Sequence, residues 1–257
     1  MKIHPTAIVH PDARIGEGVT IGPWVLIEAG VELGAGCRID AQAQILNSVV
    51  MGENCVVSGG AIIGGDPQDI EFDRDTPSRV VIGKGNTFRE NVTIHRGASE
   101  NSATRIGDSN FLMVGSHIGH DAKVGNCNIL ANDCLLGGFV KLGDGSFLGG
   151  GSAFHQFVRI GDLTMVKGLA AVSRDVPHYT TVCGSNQVSG LNVIGMRRSG
   201  FSNQTRLNVK TAFDHMYRSG LNLTQALASA VDLALEREAL HFIEFFRNPS
   251  RKGICMR

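Results

Sequence analysis

The chain has little to offer a charge-driven partner: its 24 Lys and Arg are matched by 24 Asp and Glu. A global basic excess of the kind that marks a nucleic-acid or membrane-surface protein is therefore excluded. Aromatic residues make up only 6 %, with one Trp among 257 residues, which disfavours an ordinary aromatic-rich α/β core. The six cysteines form no paired CxxC arrangement, so reduced thiols in a cytoplasm are expected rather than a disulfide framework. The start Met1-Lys2-Ile3-His4-Pro5 lacks a signal peptide's apolar stretch. Nowhere is there a run of about 18 apolar residues, so no membrane span is expected. A phosphate-binding Gly-Lys-Ser/Thr loop and a metal-binding carboxylate cluster are also missing, which excludes the commonest nucleotide hydrolases.

What the chain has in quantity is glycine, 33 residues, and a repeat of six. Ile3, Val9, Ile15, Ile21, Ile27, Leu33, Ile39, Ile45, Met51, Val57 and Ile63 hold one register. It returns at Ile82, Phe88 and Ile94, and runs again from Ile106 through Leu112, Ile118, Val124, Leu130, Leu136, Leu142, Leu148, Phe154, Ile160 and Val166 to Val172. Two residues before each aliphatic stands a smaller one, among them Val19, Cys37, Cys55, Asn86, Asn110 and Asn128. Both columns are expected to face inward. Neither a 3.6-residue nor a simple two-residue period fits; three hexads closing a triangular coil of about eighteen residues do. Gly and charged turns in every hexad argue against an amyloid or membrane reading. The predicted fold is a left-handed parallel β-helix over residues 1–196, with loop insertions near 65–79 and 95–105. Residues 197–257 are expected to form an α-helical C-terminal domain, with helices capped by Ser202 and Thr224 and a third from Glu238 to Phe246. The left hand runs against the usual right-handed crossover, so it rests on the repeat type.

Residues eighteen apart should stack at about 4.8 Å per coil. His120, Gly138, Gln156 and Arg174 then share one outward column, and Gly119, Gly137 and His155 the next. His120 and His155 fall on one edge two coils apart, with His117 on the lower coil and Asp121 adjoining. One histidine is usually a bland hydrogen-bonded residue; a cluster beside a glycine N–H is an acyl-transfer constellation, with an imidazole base and an oxyanion donor. Zinc on His117, His120 and His155 is the rival reading. It is disfavoured because His155 lies too far up the column for bonds of about 2 Å, and no metal is expected. Arg105, Lys123, Lys141 and Arg159 form a basic stripe suited to an acidic carrier protein. The parallel column Asp108, Asn126, Asp144, Asp162 would otherwise neutralise it.

The stretches Thr93-Ile-His95-Arg-Gly97, His117-Ile-Gly-His120-Asp121, Ile129-Leu-Ala-Asn132, His155-Gln-Phe157, Asp175-Val-Pro177, Arg197-Arg-Ser-Gly-Phe201 and Ser250-Arg-Lys-Gly-Ile254 resemble the UDP-N-acetylglucosamine acyltransferase family, as do the two interruptions of the repeat. The resemblance covers prism and helical cap. It implies transfer of an (R)-3-hydroxyacyl group from acyl carrier protein to the sugar 3-hydroxyl in the first step of lipid A biosynthesis, by a cytoplasmic homotrimer with sites between subunits and no cofactor besides the acyl carrier co-substrate. His120 would match the general base, Asp121 its partner and Gly138 the oxyanion donor. Gln68, Asp69, His117 and His155 would match sugar or phosphate contacts, Gln156, Asn192 and Arg198 contacts to the nucleotide end, and Gly168 the position that limits acyl length. Two departures stand out. Phe139 replaces a histidine after the oxyanion glycine, and Glu71 replaces a lysine after Gln68-Asp69-Ile70. Ile194 and Ser199 likewise occupy places where polar and basic residues are common. These changes motivate a rival reaction, N-acylation of the 3-amino sugar analogue; a catalytically silent scaffold trimer is the non-enzymatic alternative.

Overall fold

Each hexad contributes a two-residue strand and a turn, because the register aliphatic and the small residue two before it both point inward while turn residues pivot between faces. The computed structural model describes residues 2–257, and in it successive hexads such as Lys2–Ile3, Ile8–Val9 and Arg14–Ile15 enter three different sheets in rotation. Sheet A (begun by Lys2–Ile3), sheet B (by Ile8–Val9) and sheet C (by Arg14–Ile15) have 11, 9 and 8 strands. Pairing is parallel with partners eighteen apart, as in Lys2↔Thr20 and His117↔Leu135. The spacing stretches at Val56↔Thr87 and Thr87↔Phe111, where the two insertions leave the prism.

Both inward columns are buried from Val19 upward. In the first coil Ile3 remains 40 % exposed and Val9 and Ile15 are half-buried, since no coil lies beneath them. The small-residue column changes character along the prism. It is Val19, Cys37 and Cys55 low down, then Asn86, Asn110, Asn128, Ser146 and Thr164. The Asn110 amide donates to Asn86 Oδ1 (3.0 Å) and the Gly125 carbonyl (2.9 Å), while its Oδ1 accepts from the Asn128 backbone and side chain (2.9 and 3.0 Å). Thr164 Oγ1 closes the ladder on Ser146 Oγ at 3.0 Å. Every buried side-chain nitrogen and oxygen among the described residues has a partner, as a dry interior requires.

Above the last full coil the pattern departs from the expected one. Thr180–Cys183 and Gln187–Leu191 form an antiparallel hairpin on sheet A. The chain turns helical at α1 (Val193–Arg198), ahead of residue 197, because Asn192 Oδ1 caps the Gly195 N–H at 2.9 Å. Helix α2 (Asn203–Arg218) starts from the Ser202 cap. Helix α3 (Leu223–Ser229) is capped by Asn222, not Thr224, through a reciprocal pair with Gln225. Helix α4 is Arg237–Arg247. Phe213, Phe242, Phe245 and Phe246 bury the cap against the upper prism. The tail then returns: Ile254 and Met256 bridge Asp175 and Gln187, laying Arg251 and Lys252 along the prism.

Candidate active site

The edge between sheets B and C gathers the candidate catalytic residues His120, Asp121 and Gly138. Its turns place Asp121, Phe139 and Phe157 in left-handed backbone conformation, φ 58°, 60° and 70°. That conformation costs a branched or aromatic residue about 1–3 kcal/mol, and each has a compensating contact. At Asp121 the turn points the carboxylate back, so that Oδ2 accepts from His120 Nδ1 at 2.9 Å and from the Ala98 N–H at 2.9 Å. The Asp121 N–H donates to Thr104 Oγ1 at 2.8 Å. With its side chain only 9 % exposed, the carboxylate fixes the His120 tautomer: proton on Nδ1, lone pair on Nε2. Phe139 stands edge-on to the His120 ring (centroids 5.1 Å, 83°) and stacks on Phe157 at 4.7 Å.

His120 Nε2 lies over Gly138. A Cβ there would come within 2.5 Å of it, so any other residue would displace the ring. The Gly138 N–H makes no backbone hydrogen bond among the described residues. Gly119 keeps it open, since a Cβ on Gly119 would meet the Gly138 nitrogen at 2.8 Å. A base lone pair and an unused backbone donor thus face one point. A cavity of about 300 Å³ opens there, lined by Gln68, His95, His117, His120, Gly138 and the apolar Leu135 and Phe154 among others.

His95 was not foreseen as a site residue; its ring meets that of His117 edge to face, centroids 4.7 Å apart. The Thr93-Ile-His95 run marked it only weakly, because the second insertion hides its stacking partners. His117 Nδ1 pairs with Thr93 Oγ1 at 2.8 Å. Burial, then the neighbouring His95 and His120, push the His117 pKa down to about 4; burial, then His120, lower that of His95. Both rings are neutral hydrogen-bonding groups at physiological pH.

The other expected residues divide. Gln68 reaches the cavity, whereas Asp69 and Glu71 are exposed on the first insertion, the Glu71 N–H donating to Asp69 Oδ1 at 3.1 Å. Arg96, which sequence reasoning passed over, holds that insertion. Its guanidinium, in a side chain 13 % exposed, donates to Asp66 Oδ1 (2.9 Å), the Thr76 carbonyl (2.6 Å) and the Arg74 carbonyl (2.7 Å), and lies 4.9 Å from the Phe72 ring. His155 and Gln156 stand higher on the edge, outside the cavity lining. His155 Nδ1 lies 3.1 Å from both the Gln156 carbonyl and Lys252 Nζ. The two contacts are alternatives, one needing a proton on Nδ1 and the other a lone pair. Arg251 covers Phe157 at 4.4 Å. Asn192 spends both polar atoms within the chain, its amide donating to the Leu163 carbonyl at 2.8 Å. Arg198 is exposed and has no ion-pair partner among the described residues. Gly168 lies on the opposite edge, between sheets A and B, where a Cβ would approach the Gly150 carbonyl at 3.1 Å.

The basic stripe is real in register, Arg105↔Lys123↔Lys141↔Arg159. The parallel column Asp108, Asn126, Asp144 and Asp162 accepts backbone N–H groups of the coil below, at 2.6–2.8 Å, and forms no ion pair with Lys123 or Lys141 among the described residues. Arg159 is withdrawn onto buried Asp175 (2.7 Å).

An imidazole held by a buried carboxylate beside a free N–H, on the edge of a left-handed hexapeptide β-helix, is the arrangement that fits a hexapeptide-repeat acyltransferase. Comparison makes this particular. Residues 175–255 match the family model for UDP N-acetylglucosamine O-acyltransferase, domain 2, and residues 3–96 that for the GMPPB C-terminal domain. Proteins named acyl-[acyl-carrier-protein]–UDP-N-acetylglucosamine O-acyltransferase are 39 % identical in Anaeromyxobacter sp. (strain Fw109-5) and 40 % in Myxococcus xanthus (strain DK1622), covering 98 % of both chains in each case. The crystal structure of a UDP-N-acetylglucosamine acyltransferase from Bacteroides fragilis 9343 superposes with a TM-score of 0.93 at 38 % identity over 98 % of this chain and 99 % of that one. The Francisella novicida enzyme gives 0.94 at 33 % identity, over 99 % and 94 %. The chain belongs to the acyl-[acyl-carrier-protein]–UDP-N-acetylglucosamine O-acyltransferase family. Among the described residues no helix is long and apolar enough to cross a membrane.

Proposed function

We propose that the chain transfers an (R)-3-hydroxyacyl group from acyl carrier protein to the 3-hydroxyl of UDP-N-acetylglucosamine, the first step of lipid A biosynthesis. The observation that carries this reading is His120 Nε2 poised over Gly138 with Nδ1 held by Asp121. Nε2 takes the sugar hydroxyl proton as the oxygen attacks the thioester carbonyl, and the Gly138 N–H receives the developing oxyanion. Collapse breaks the C–S bond, and the imidazolium returns its proton to the departing thiolate. Asp121 stabilises the imidazolium throughout. Proton and thiol are accounted for by this chain and its two substrates, so the mechanism calls on no cofactor.

In this reading Gln68 and His117, which line the cavity, orient the sugar, and His155, Gln156 and Arg198 meet the diphosphate and nucleotide. Asn192 supports that end indirectly, by fixing α1. Asp69 would contribute only with the first insertion folded inward. Because Gly168 and His120 sit on opposite edges of sheet B, a homotrimer that sets one edge against a neighbour's is the arrangement that lets Gly168 bound the acyl chain. Leu135, 44 % exposed on the face between them, is the apolar surface such packing would cover. Lys123 and Lys141, free of ion pairs among the described residues, suit an acidic carrier protein. The free cysteines fit a reducing cytoplasm.

Glu71 and Phe139 favour one second reading, acylation of the 3-amino analogue, since a carboxylate and an apolar ring stand where basic groups would help a hydroxyl sugar. A steady-state assay with 3-hydroxyacyl carrier proteins of several lengths and both acceptors separates them. Turnover of the hydroxyl sugar, abolished in His120→Ala, is expected. Turnover of the amine alone would replace the main reading, and none on either would return the scaffold.

A further inference from the structure

Away from the acyl-transfer edge, three side chains from separate elements converge where the cap meets the last coil. Asp162 ends the column of corner carboxylates, His178 precedes the antiparallel hairpin, and His241 projects from α4. One potential ligand atom from each lies within 4.8 Å of the others. Asp162 Oδ2 is 2.7 Å from His241 Nε2 and 3.1 Å from His178 Nδ1, and the two imidazoles face each other with centroids 3.9 Å apart. We propose that Asp162, His178 and His241 form a binding site for a divalent transition-metal ion of the zinc class, which clamps α4 to the prism.

The site has the supporting structure such a centre needs. Asp162 Oδ1 accepts the Asp144 N–H at 2.8 Å, which orients the carboxylate and frees Oδ2 as the shared donor. The Asp162 N–H donates to His178 Nδ1 at 2.7 Å, so that nitrogen is unprotonated, with its lone pair on the Asp162 backbone, 3.1 Å from Oδ2. Against its burial, hydrogen bonds from His241 and the Asp144 N–H hold the Asp162 carboxyl well below its usual range. Burial lowers the His178 pKa, the Asp162 carboxylate opposing it. A carboxylate oxygen and two imidazole nitrogens are the ligand types such an ion takes. Phe245 edge-on to His178 (5.1 Å) and Tyr179 (5.7 Å) wall one side. The nearest fixed cation, Arg159, is committed to Asp175.

Bonds of about 2.0 Å in a tetrahedron separate ligand atoms by about 3.3 Å, so the Asp162–His241 contact of 2.7 Å has to open by about 0.6 Å and the Asp162–His178 contact of 3.1 Å by about 0.2 Å. The ion takes the His178 lone pair in place of the Asp162 N–H. Two imidazoles and one carboxylate leave a fourth position for water. The zinc set considered from sequence, His117, His120 and His155, has no part in this. Nothing in that set suggested His178 or His241, which are 63 residues apart and meet only because α4 packs on the coil end.

The test is titration of the chelator-stripped full-length protein with Zn2+ by calorimetry, and with Co2+ read by visible absorption. One ion per chain is expected, with a tetrahedral cobalt spectrum and a rise in Tm of several degrees. Both effects should vanish in His241→Gln and His178→Gln and persist in His95→Gln, which alters the other histidine cluster. His241 is exposed enough that its variant folds, which circular dichroism checks. Equal stoichiometry in wild type and His241→Gln, or no binding at all, overturns the proposal. Because the titration contains no substrate, its result is independent of the acyl-transfer reading.

Discussion

The lower coils, residues 2–63, and the upper coils, residues 103–176, are built on one hexad register, yet only the upper set carries the proposed catalytic residues. Below, the small inward column is Val19, Cys37 and Cys55, and the histidines His4 and His10 are exposed with only local contacts. Above, the same positions hold an asparagine ladder, and one edge holds His117, His120, Asp121 and Gly138. Repetition supplies the frame, and departures from it supply function. Turn positions that favour glycine or asparagine are filled at the active edge by Asp121, Phe139 and Phe157, and the strain is offset by their contacts to His120, to each other and to the returning tail.

The sharpest contrast between the regions is catalytic. His120→Ala should lower kcat/KM for acyl transfer by about 10²–10⁴-fold, the usual worth of a general base, while His10→Ala leaves it unchanged; initial rates at subsaturating sugar measure both. Next in size is the interior. Asn110→Ala removes an amide that bonds on both sides and leaves the Gly125 carbonyl and the Asn128 N–H unpaired, a cost of about 2–4 kcal/mol. Cys37→Ala, in the same column of the lower coils, deletes a sulfur without stranding a ladder and should cost about 1 kcal/mol. Denaturant unfolding of the two variants compares them directly, and equal midpoints would mean that the ladder contributes nothing special. A third effect is smaller and local. Arg96→Ala releases the insertion that carries Gln68, so KM for the sugar should rise about tenfold with kcat changed far less, and Arg96→Lys should recover part of it. A matching fall in kcat with KM constant would place Arg96 in the chemistry instead.

The frame was legible because its period is six and its exceptions few: the strand register, both insertions and the vertical alignment of His120 with Gly138 follow from counting by eighteen. Counting fails once the chain leaves the prism. The hairpin at 180–191, the Asn222 cap and the α1 start at Val193 depend on local hydrogen bonds that no period announces. His95, Arg96 and Lys252 reach the site through insertions and the tail, whose contacts span 30 residues from Arg96 to Asp66 and 97 from Lys252 to His155. Asn192 and Gly168 show the converse limit. Resemblance gave them roles at one site, whereas within a single chain one caps a helix and the other lies on another edge.

Buried histidine is the remaining difference between the regions, and pH reads it out. In the folded chain His117 stays neutral down to about pH 4; unfolded, it takes a proton below its ordinary value of about 6.5. Between those values the unfolded state binds more protons, so stability should fall as pH drops from about 6.5 towards 4 and be unaffected by this ring above that window. The lowered pKa of His95 acts in the same direction. Thermal unfolding of wild type and His117→Gln at pH 7.5 and pH 5 isolates the contribution, because glutamine keeps a polar group near Thr93 but cannot titrate. The variant's Tm should fall less than the wild type's between the two pH values. An identical fall in both would mean that the ring takes up its proton in the fold as readily as in the unfolded chain, and that the His95–His117 pair is open to water.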